Sequence, residues 1–355
     1  MFDSRLLTVL LYVSLAAACG GGSSSQPAST AAPASASTGQ INGAGATFPN
    51  PIYSKWFAEY SKANPAVQIN YQPIGSGGGI RQVSNQTVFF GATDGPMTDE
   101  QMKGAAGPIL HLPTVLGAVV PVYNVPGITT GLKFSGPVLA DIILGKITKW
   151  NDAALAKLNP GMKLPATDIT VVHRSDGSGT TYVFVDYLAK VSPTFKSTVG
   201  VATSVMWPVG VGGKGNEGVA GLVSQTPGSI GYVELIYALQ NKIAFGAVQN
   251  SAGEFVTASI DSVTKAAAEA AANMPADFRV SITDAGGAGV YPIASFTWIL
   301  LYEAPQDVAK SKAMVDFMRW ALTDGQAFAT ELGYARLPPN VVDLELKALG
   351  RIKVS

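Results

Sequence analysis

One cysteine (Cys19) and two histidines (His111, His173) are all that this 355-residue chain offers of the residues most used to hold transition metals. Zinc fingers, cysteine-rich metal centres, iron–sulfur clusters on the chain's own thiols and intramolecular disulfides are excluded by count. Charge is scarce too, at 14% of residues against roughly a quarter in ordinary globular chains. The 24 basic residues balance 24 acidic ones. With no basic excess to displace condensed counterions, nucleic acid is not an expected partner. No apolar run reaches the ~20 residues that a membrane-spanning helix needs. What is plentiful is apolar material, 47% of the chain, which excludes global disorder. At about 150 residues per domain, the length suggests two domains.

Arg5 followed by the 13-residue apolar run Leu6 to Ala18 reads as an export signal over residues 1–18. The run ends in Leu15-Ala16-Ala17-Ala18-Cys19-Gly20, which resembles a bacterial lipobox, with Cys19 as the lipidated first residue after cleavage. Ala16, where Leu is commonest, and Asp3 depart from that pattern, and the alternative is an ordinary signal peptide cut at an A-x-A site. A lone cysteine in an exported chain favours lipidation, because a free thiol would have no partner there. Residues 20–40 contain only Gly, Ser, Gln, Pro, Ala and Thr. With nothing large and apolar to bury, 19–40 is expected to be a disordered tether with a typical span of roughly 25 Å.

From Ile41 to Ser355 the pattern alternates between strands and helices. Helical spacing marks Pro51–Ala63, Ile80–Gln86, Val138–Leu144, Thr180–Lys190, Asp261–Ala272 and Ser311–Thr323. Strands are expected at Val67–Gln72, Val88–Ala92, Leu116–Tyr123, Ile169–His173, Ile230–Val233 and Ala294–Tyr302. Several of these are continuous apolar runs, as in α/β sheets covered on both faces.

Three small-residue loops stand directly before helices: Gly43-Ala44-Gly45-Ala46-Thr47-Phe48-Pro49, Gly75-Ser76-Gly77-Gly78-Gly79 and Arg174-Ser175-Asp176-Gly177-Ser178-Gly179-Thr180. A helix start presents unpaired N–H groups and a partial positive charge, glycine allows close approach, and Ser or Thr adds a hydroxyl. Any one of them could be a plain turn or cap; three, one beside an arginine, point to an anion site. Other phosphate and nucleophile motifs fail. Gly210-Val211-Gly212-Gly213-Lys214-Gly215 lacks the Ser or Thr that would hold magnesium, and Gly75 to Ile80 misses the last glycine of a dinucleotide fingerprint. Ser178 is flanked by Asp176 and Thr180 where a hydrolase elbow needs glycines. His173 is either a base for Ser178 or, more commonly for a strand-end histidine, structural.

These loops, together with Phe90-Gly91-Ala92-Thr93-Asp94-Gly95-Pro96, Leu144 to Trp150 and Gly212 to Asn216, resemble in order the phosphate-binding proteins of bacterial ABC importers. The resemblance covers nearly all of 41–355. It implies a two-lobe, type II periplasmic-binding-protein α/β fold, each lobe a mixed sheet flanked by helices, with the ligand in the cleft. Lobe 1 would be 41–122 with 292–355, lobe 2 would be 123–291, and the crossovers would lie near Val122-Tyr123 and Tyr291-Pro292. Phosphate would contact Thr47, Phe48, Ser76, Asp94, Arg174, Ser178, Gly179 and Thr180, with Phe48 and Gly179 acting through backbone N–H. Phe89, where an acid is frequent, and His173, where a second basic residue is common, depart from the family without touching those contacts. Asp176 would either orient Arg174 or cap the following helix. Asp94 reads as a surface turn on its own, but by resemblance it lies in the cleft and accepts a proton that phosphate retains and sulfate lacks.

The implied activity is capture of inorganic phosphate outside the cytoplasmic membrane, at the cell envelope, and delivery to permease and ATPase subunits. No cofactor, metal or catalysis is expected. A binder of another oxyanion, sulfate or molybdate, is the main alternative. A secreted phosphatase is poorly served by two histidines and no spare thiol.

Overall fold

The computed structural model describes residues 39–354; the expected signal segment, Cys19 and nearly all of the expected tether lie outside them. Gln40, assigned to the tether from composition, instead opens the first strand, where it pairs with Gln68.

The first part of the chain forms β1 (Gln40–Gly45), α1 (Asn50–Ala63), β2 (Gln68–Gln72), α2 (Ser76–Ser84), β3 (Phe90–Thr93), α3 (Asp99–Lys103) and β4 (Ile109–Asn124). The middle continues through β5 (Lys133–Phe134), α4 (Gly136–Ile143), α5 (Ala153–Leu158), β6 (Thr170–Arg174), α6 (Gly179–Val191) and α7 (Pro193–Thr198). Then come β7 (Val211–Gly213), α8 (Gly215–Gln225), β8 (Ser229–Glu234), α9 (Leu235–Gln240), β9 (Ala244–Phe245), β10 (Ala247–Gln249) and β11 (Phe255–Val256). The chain closes with α10 (Ile260–Ala272), β12 (Ala294–Tyr302), α11 (Val308–Leu322), α12 (Ala327–Glu331) and α13 (Pro339–Ala348).

Eight strands follow one path, β2-β1-β3-β12-β4-β8-β6-β7, with β9 also on β4. The parallel pairs are β1 with β2 and β3, and β6 with β7 and β8; β12 and β4 run antiparallel to their neighbours. The long strand β4 joins the two halves: it pairs with β12 up to Ala118 and with β8 from Val119. All nine residues of β12 are buried, and every residue of β4 except Asn124, which is why both read as mainly apolar runs. β4 begins at Ile109, seven residues before the expected Leu116; the added stretch contains Pro113, and proline ordinarily argues against an inner strand. Pro113 is accommodated beside a register shift, where Thr114 is the extra residue opposite the Thr297–Trp298 step.

α1 buries Ile52, Tyr53, Trp56 and Tyr60, and the Trp56 indole N–H donates to the Gly325 carbonyl at 2.7 Å. α10 packs on β4, β12 and α13, so it belongs by contact with the first half of the sheet. α2 starts at Ser76, four residues before the expected Ile80. The glycines that read as a loop are its first turn. A Cβ on Gly79 would stand 2.5 Å from Gly45 Cα and 2.7 Å from the Ala92 carbonyl oxygen, so only glycine lets this turn rest on β1 and β3. Among the described residues no helix is long and apolar enough to cross a membrane.

Candidate functional site

Strands β1, β3 and β6 end, and helices α2 and α6 begin, in one buried region, and all eight expected site residues fall there. Thr47, Phe48, Ser76, Asp94, Arg174, Ser178 and Thr180 are each at most 3% exposed, and Gly179 is buried. The two halves touch through backbone: Gly77 N–H donates to the Gly177 carbonyl at 2.9 Å. A methyl group on Gly179 would collide with Ser76 Oγ and Asp94 Oδ2. From the other side, Asn216 Nδ2 donates to Thr47 Oγ1 at 2.8 Å and to Thr180 Oγ1 at 3.1 Å. Tyr237 donates its hydroxyl to the Thr47 carbonyl at 2.5 Å, and Tyr334 donates to the Phe48 carbonyl at 2.6 Å.

Arg174 is held as a rigid fork. Its Nε donates to Asp176 Oδ1 at 2.8 Å, Nη2 to Asp176 Oδ2 at 2.6 Å and Nη1 to Thr180 Oγ1 at 3.3 Å. Three of the five guanidinium N–H groups are thus used, and two remain for another acceptor. Burial pushes Asp176 up, but the hydrogen bonds and charge of Arg174 and the Gly215 N–H outweigh it and hold the carboxyl below its ordinary value. Of the two roles open to Asp176, orienting Arg174 is the one observed. The cap of α6 is Ser178, whose Oγ accepts from Thr181 N–H at 2.9 Å. His173 stacks on Trp207, with 5.0 Å between ring centroids, and its Nδ1 lies 3.1 Å from the Arg174 carbonyl oxygen. It is structural.

The backbone N–H groups of Phe48, Ser76, Gly179 and Thr180 have no protein acceptor among the described residues. The last three are the opening residues of helices, where no carbonyl of the preceding turn exists. Thr47, Ser178 and Thr180 accept hydrogen bonds at Oγ and keep a hydroxyl hydrogen to give. Against these donors stands one acceptor. Asp94 is 1% exposed, so it is not a surface turn; Thr297 Oγ1 donates to its Oδ1 at 2.7 Å, and Ser76 Oγ lies 3.5 Å from Oδ2. Burial raises its carboxyl from 3.8 to about 7, against the pull of Thr297, Arg174 and Ser76. Deeper still, burial and then the charge of Asp94 push Glu234 well above its ordinary value, opposed by the Ile236 N–H that Oε2 accepts; Oε1 has no partner. The site therefore holds one guanidinium with its paired aspartate, many neutral donors and the buried carboxyl of Asp94. It is suited to a small tetrahedral anion that retains a proton.

Asn216 and Thr297 were not among the residues expected here. Asn216 had a signal in standing at a helix start after Gly213-Lys214-Gly215. For Thr297 the signal was a hydroxyl two residues from Ser295 in an otherwise apolar strand, on one face of β12.

A PBP superfamily domain is matched over residues 30–325. The Phosphate-binding protein PstS of Xylella fastidiosa (strain Temecula1) is 50% identical over 322 residues, covering 90% of this chain and 88% of the relative. The protein of the same name from Pasteurella multocida is 50% identical over 303 residues, 85% of this chain and 87% of its own. Among solved structures, a phosphate binding protein from Stenotrophomonas maltophilia superposes with a TM-score of 0.66 at 19% identity, covering 87% of this chain and 93% of its own.

Proposed function

This chain belongs to the PstS family of phosphate-binding proteins, and from that premise we propose that it binds inorganic phosphate and delivers it to an ABC importer. The observation that most supports this reading is the buried carboxyl of Asp94, set beside N–H donors that otherwise lack partners. A fully deprotonated anion would meet a bare carboxylate there, whereas HPO₄²⁻ or H₂PO₄⁻ has a proton to share. Thr47, Phe48, Ser76, Arg174, Ser178, Gly179 and Thr180 would donate to the phosphate oxygens and Asp94 would accept. The described groups make and break no covalent bond in this scheme: the mechanism is capture, dehydration between the halves of the protein, and release. Lobe 1 (41–122 and 292–355) would take α10 with it, although α10 lies within 123–291, and would close on the rest of that segment, lobe 2, about β4, where it changes partners.

Titration by calorimetry tests this directly. Phosphate should bind far more tightly than sulfate at pH 8, and equal affinities would overturn the reading in favour of a general oxyanion binder. The partners would be the importer's membrane permease and ATPase subunits. We further propose that Cys19 carries a lipid that holds the protein to a membrane, outside the cytoplasm. Cys19→Ser should then release it to the soluble fraction, and unchanged fractionation would exclude the anchor.

A further inference from the structure

Segment 277–283 binds to both halves of the protein, away from the phosphate site. Toward the first half, Arg279 Nη1 donates to the Met97 carbonyl at 2.8 Å and Nη2 to Asp99 Oδ1 at 2.8 Å. The Trp298 indole N–H, from β12, donates to the Phe278 carbonyl at 2.9 Å. Met97 and Asp99 follow Asp94 by three and five residues, and His111 Nε2 on β4 accepts from Met97 N–H. Toward the second half, Ser281 Oγ and Thr283 Oγ1 donate to Asp186 Oδ2 at 2.6 and 2.5 Å. Lys190 Nζ donates to Ser281 Oγ at 2.9 Å and to Thr283 Oγ1 at 2.7 Å. Asp186 and Lys190 lie on α6, whose first turn is Gly179-Thr180. A few residues of chain thus fasten the loop that carries Asp94 to the helix that presents the anion-facing N–H groups.

We propose that segment 277–283 is a closure strap, with Arg279 as its positioning residue, which sets how long the two halves stay shut and therefore how fast phosphate leaves. The four steps from Arg279 to Thr283 reach at most ~14 Å when fully extended, so a wide opening must break the bonds at one end. The Arg279–Asp99 pair is itself a small part of this, because the Asp99 side chain is 69% exposed and exposed pairs hold weakly. The more sheltered bonds to Met97 and Asp186 carry the strap. Neither Arg279 nor Thr283 touches the residues placed around the phosphate. The proposal rests on the phosphate reading only for its kinetic readout.

The test uses Arg279→Gln for one end and the double substitution Ser281→Ala/Thr283→Val for the other. Phosphate dissociation should accelerate by about three- to tenfold for either end, as expected for losing a hydrogen bond or two. Combining both ends should give less than the product of the two effects, because Trp298 still holds the Phe278 carbonyl and Lys190 the Thr283 carbonyl, and a strap slackened at one end transmits less from the other. Arg279→Lys should fall between, since an ammonium reaches Asp99 or the Met97 carbonyl but not both in fork geometry. A second readout needs no ligand: hydrogen exchange at the Gly77 amide, which donates across the cleft to Gly177, should quicken in the same variants. Wild-type protein that does not take up phosphate defeats the functional reading, while the exchange data still decide the strap. Dissociation and Gly77 exchange within 1.5-fold of wild type, or fully additive effects of the two ends, overturn the strap itself.

Discussion

Asp94 sets two requirements against each other. An anion site in a low-dielectric cleft is weakened by a carboxylate, yet a carboxylate is the one group there able to take a proton from the ligand. Its value of about 7, set first by burial, makes selectivity a matter of pH. Above 7 the group is a carboxylate, an acceptor only; below 7 it is a carboxylic acid with a hydrogen to give. Sulfate stays fully deprotonated throughout that range. Its affinity should therefore rise as pH falls from 8 to 5, narrowing the gap with phosphate. In Asp94→Asn the amide donates at every pH, so sulfate affinity should be flat and higher than wild type at pH 8. A wild-type sulfate affinity that does not change between pH 5 and 8 would show that Asp94 does not discriminate by its proton. The same raised value enters stability: the contribution of Asp94 is greatest below 3.8 and is lost as pH rises from there to about 7.

Among the elements, α2 and α13 show what pattern reading reaches and what it does not. The helical part of α2 after Ile80 follows from the spacing of Ile80 and Val83, both buried. Its glycine start does not, because glycine costs a helix about 1 kcal/mol per residue relative to alanine. Here that cost is offset by backbone-to-backbone approach, visible only once β1 and β3 are in place. Arg174, Ser178 and Gly179 were legible as an arginine beside a capped, glycine-bearing helix start. Asn216 and Thr297 arrive from distant segments, and their part in the site depends on tertiary placement. α13 carries a feature no periodicity announces: Glu345 is fully buried, and neither of its oxygens has a hydrogen-bond partner among the described residues. Burial raises its carboxyl well above the ordinary 4.5, so the charged form is disfavoured where it sits. Glu345→Met should raise stability by about 1–3 kcal/mol near neutral pH. The sign follows from linkage. A carboxyl raised in the folded state contributes most below 4.5 and loses that contribution as pH climbs. The gain from methionine should therefore grow between pH 4.5 and 7. Urea unfolding at the two pH values measures it, and an equal or negative difference at pH 7 would mean that Glu345 is satisfied in solution.

For the molecule as a whole, the long strand β4 is the element about which the proposed closure would turn. One continuous backbone serves both halves of the sheet and changes partner at Ala118–Val119, so rotation can occur there with few bonds exchanged. The hydrogen bonds that draw the two halves together are few: Gly77 to Gly177 and Asn216 and Tyr237 to Thr47 around the site, and Arg279 to Met97 away from it. Each such bond contributes only about 1 kcal/mol net. Opposing them are the N–H groups of Phe48, Ser76, Gly179 and Thr180 and two N–H groups of Arg174. Closed without an acceptor, these are cut off from water, at about 1–3 kcal/mol for each donor left unsatisfied. The sum favours an open, hydrated cleft when no anion is present. At the proposed site phosphate would reverse the balance, because the same donors would then make charge-assisted bonds in a dry cleft. Small-angle scattering at pH 8 should therefore give a smaller radius of gyration with phosphate than without it. Sulfate at the same concentration should leave the protein open, since it cannot satisfy Asp94. Superimposable profiles with and without phosphate would mean that the donors find other partners, and that the energy of binding does not come from closing the halves.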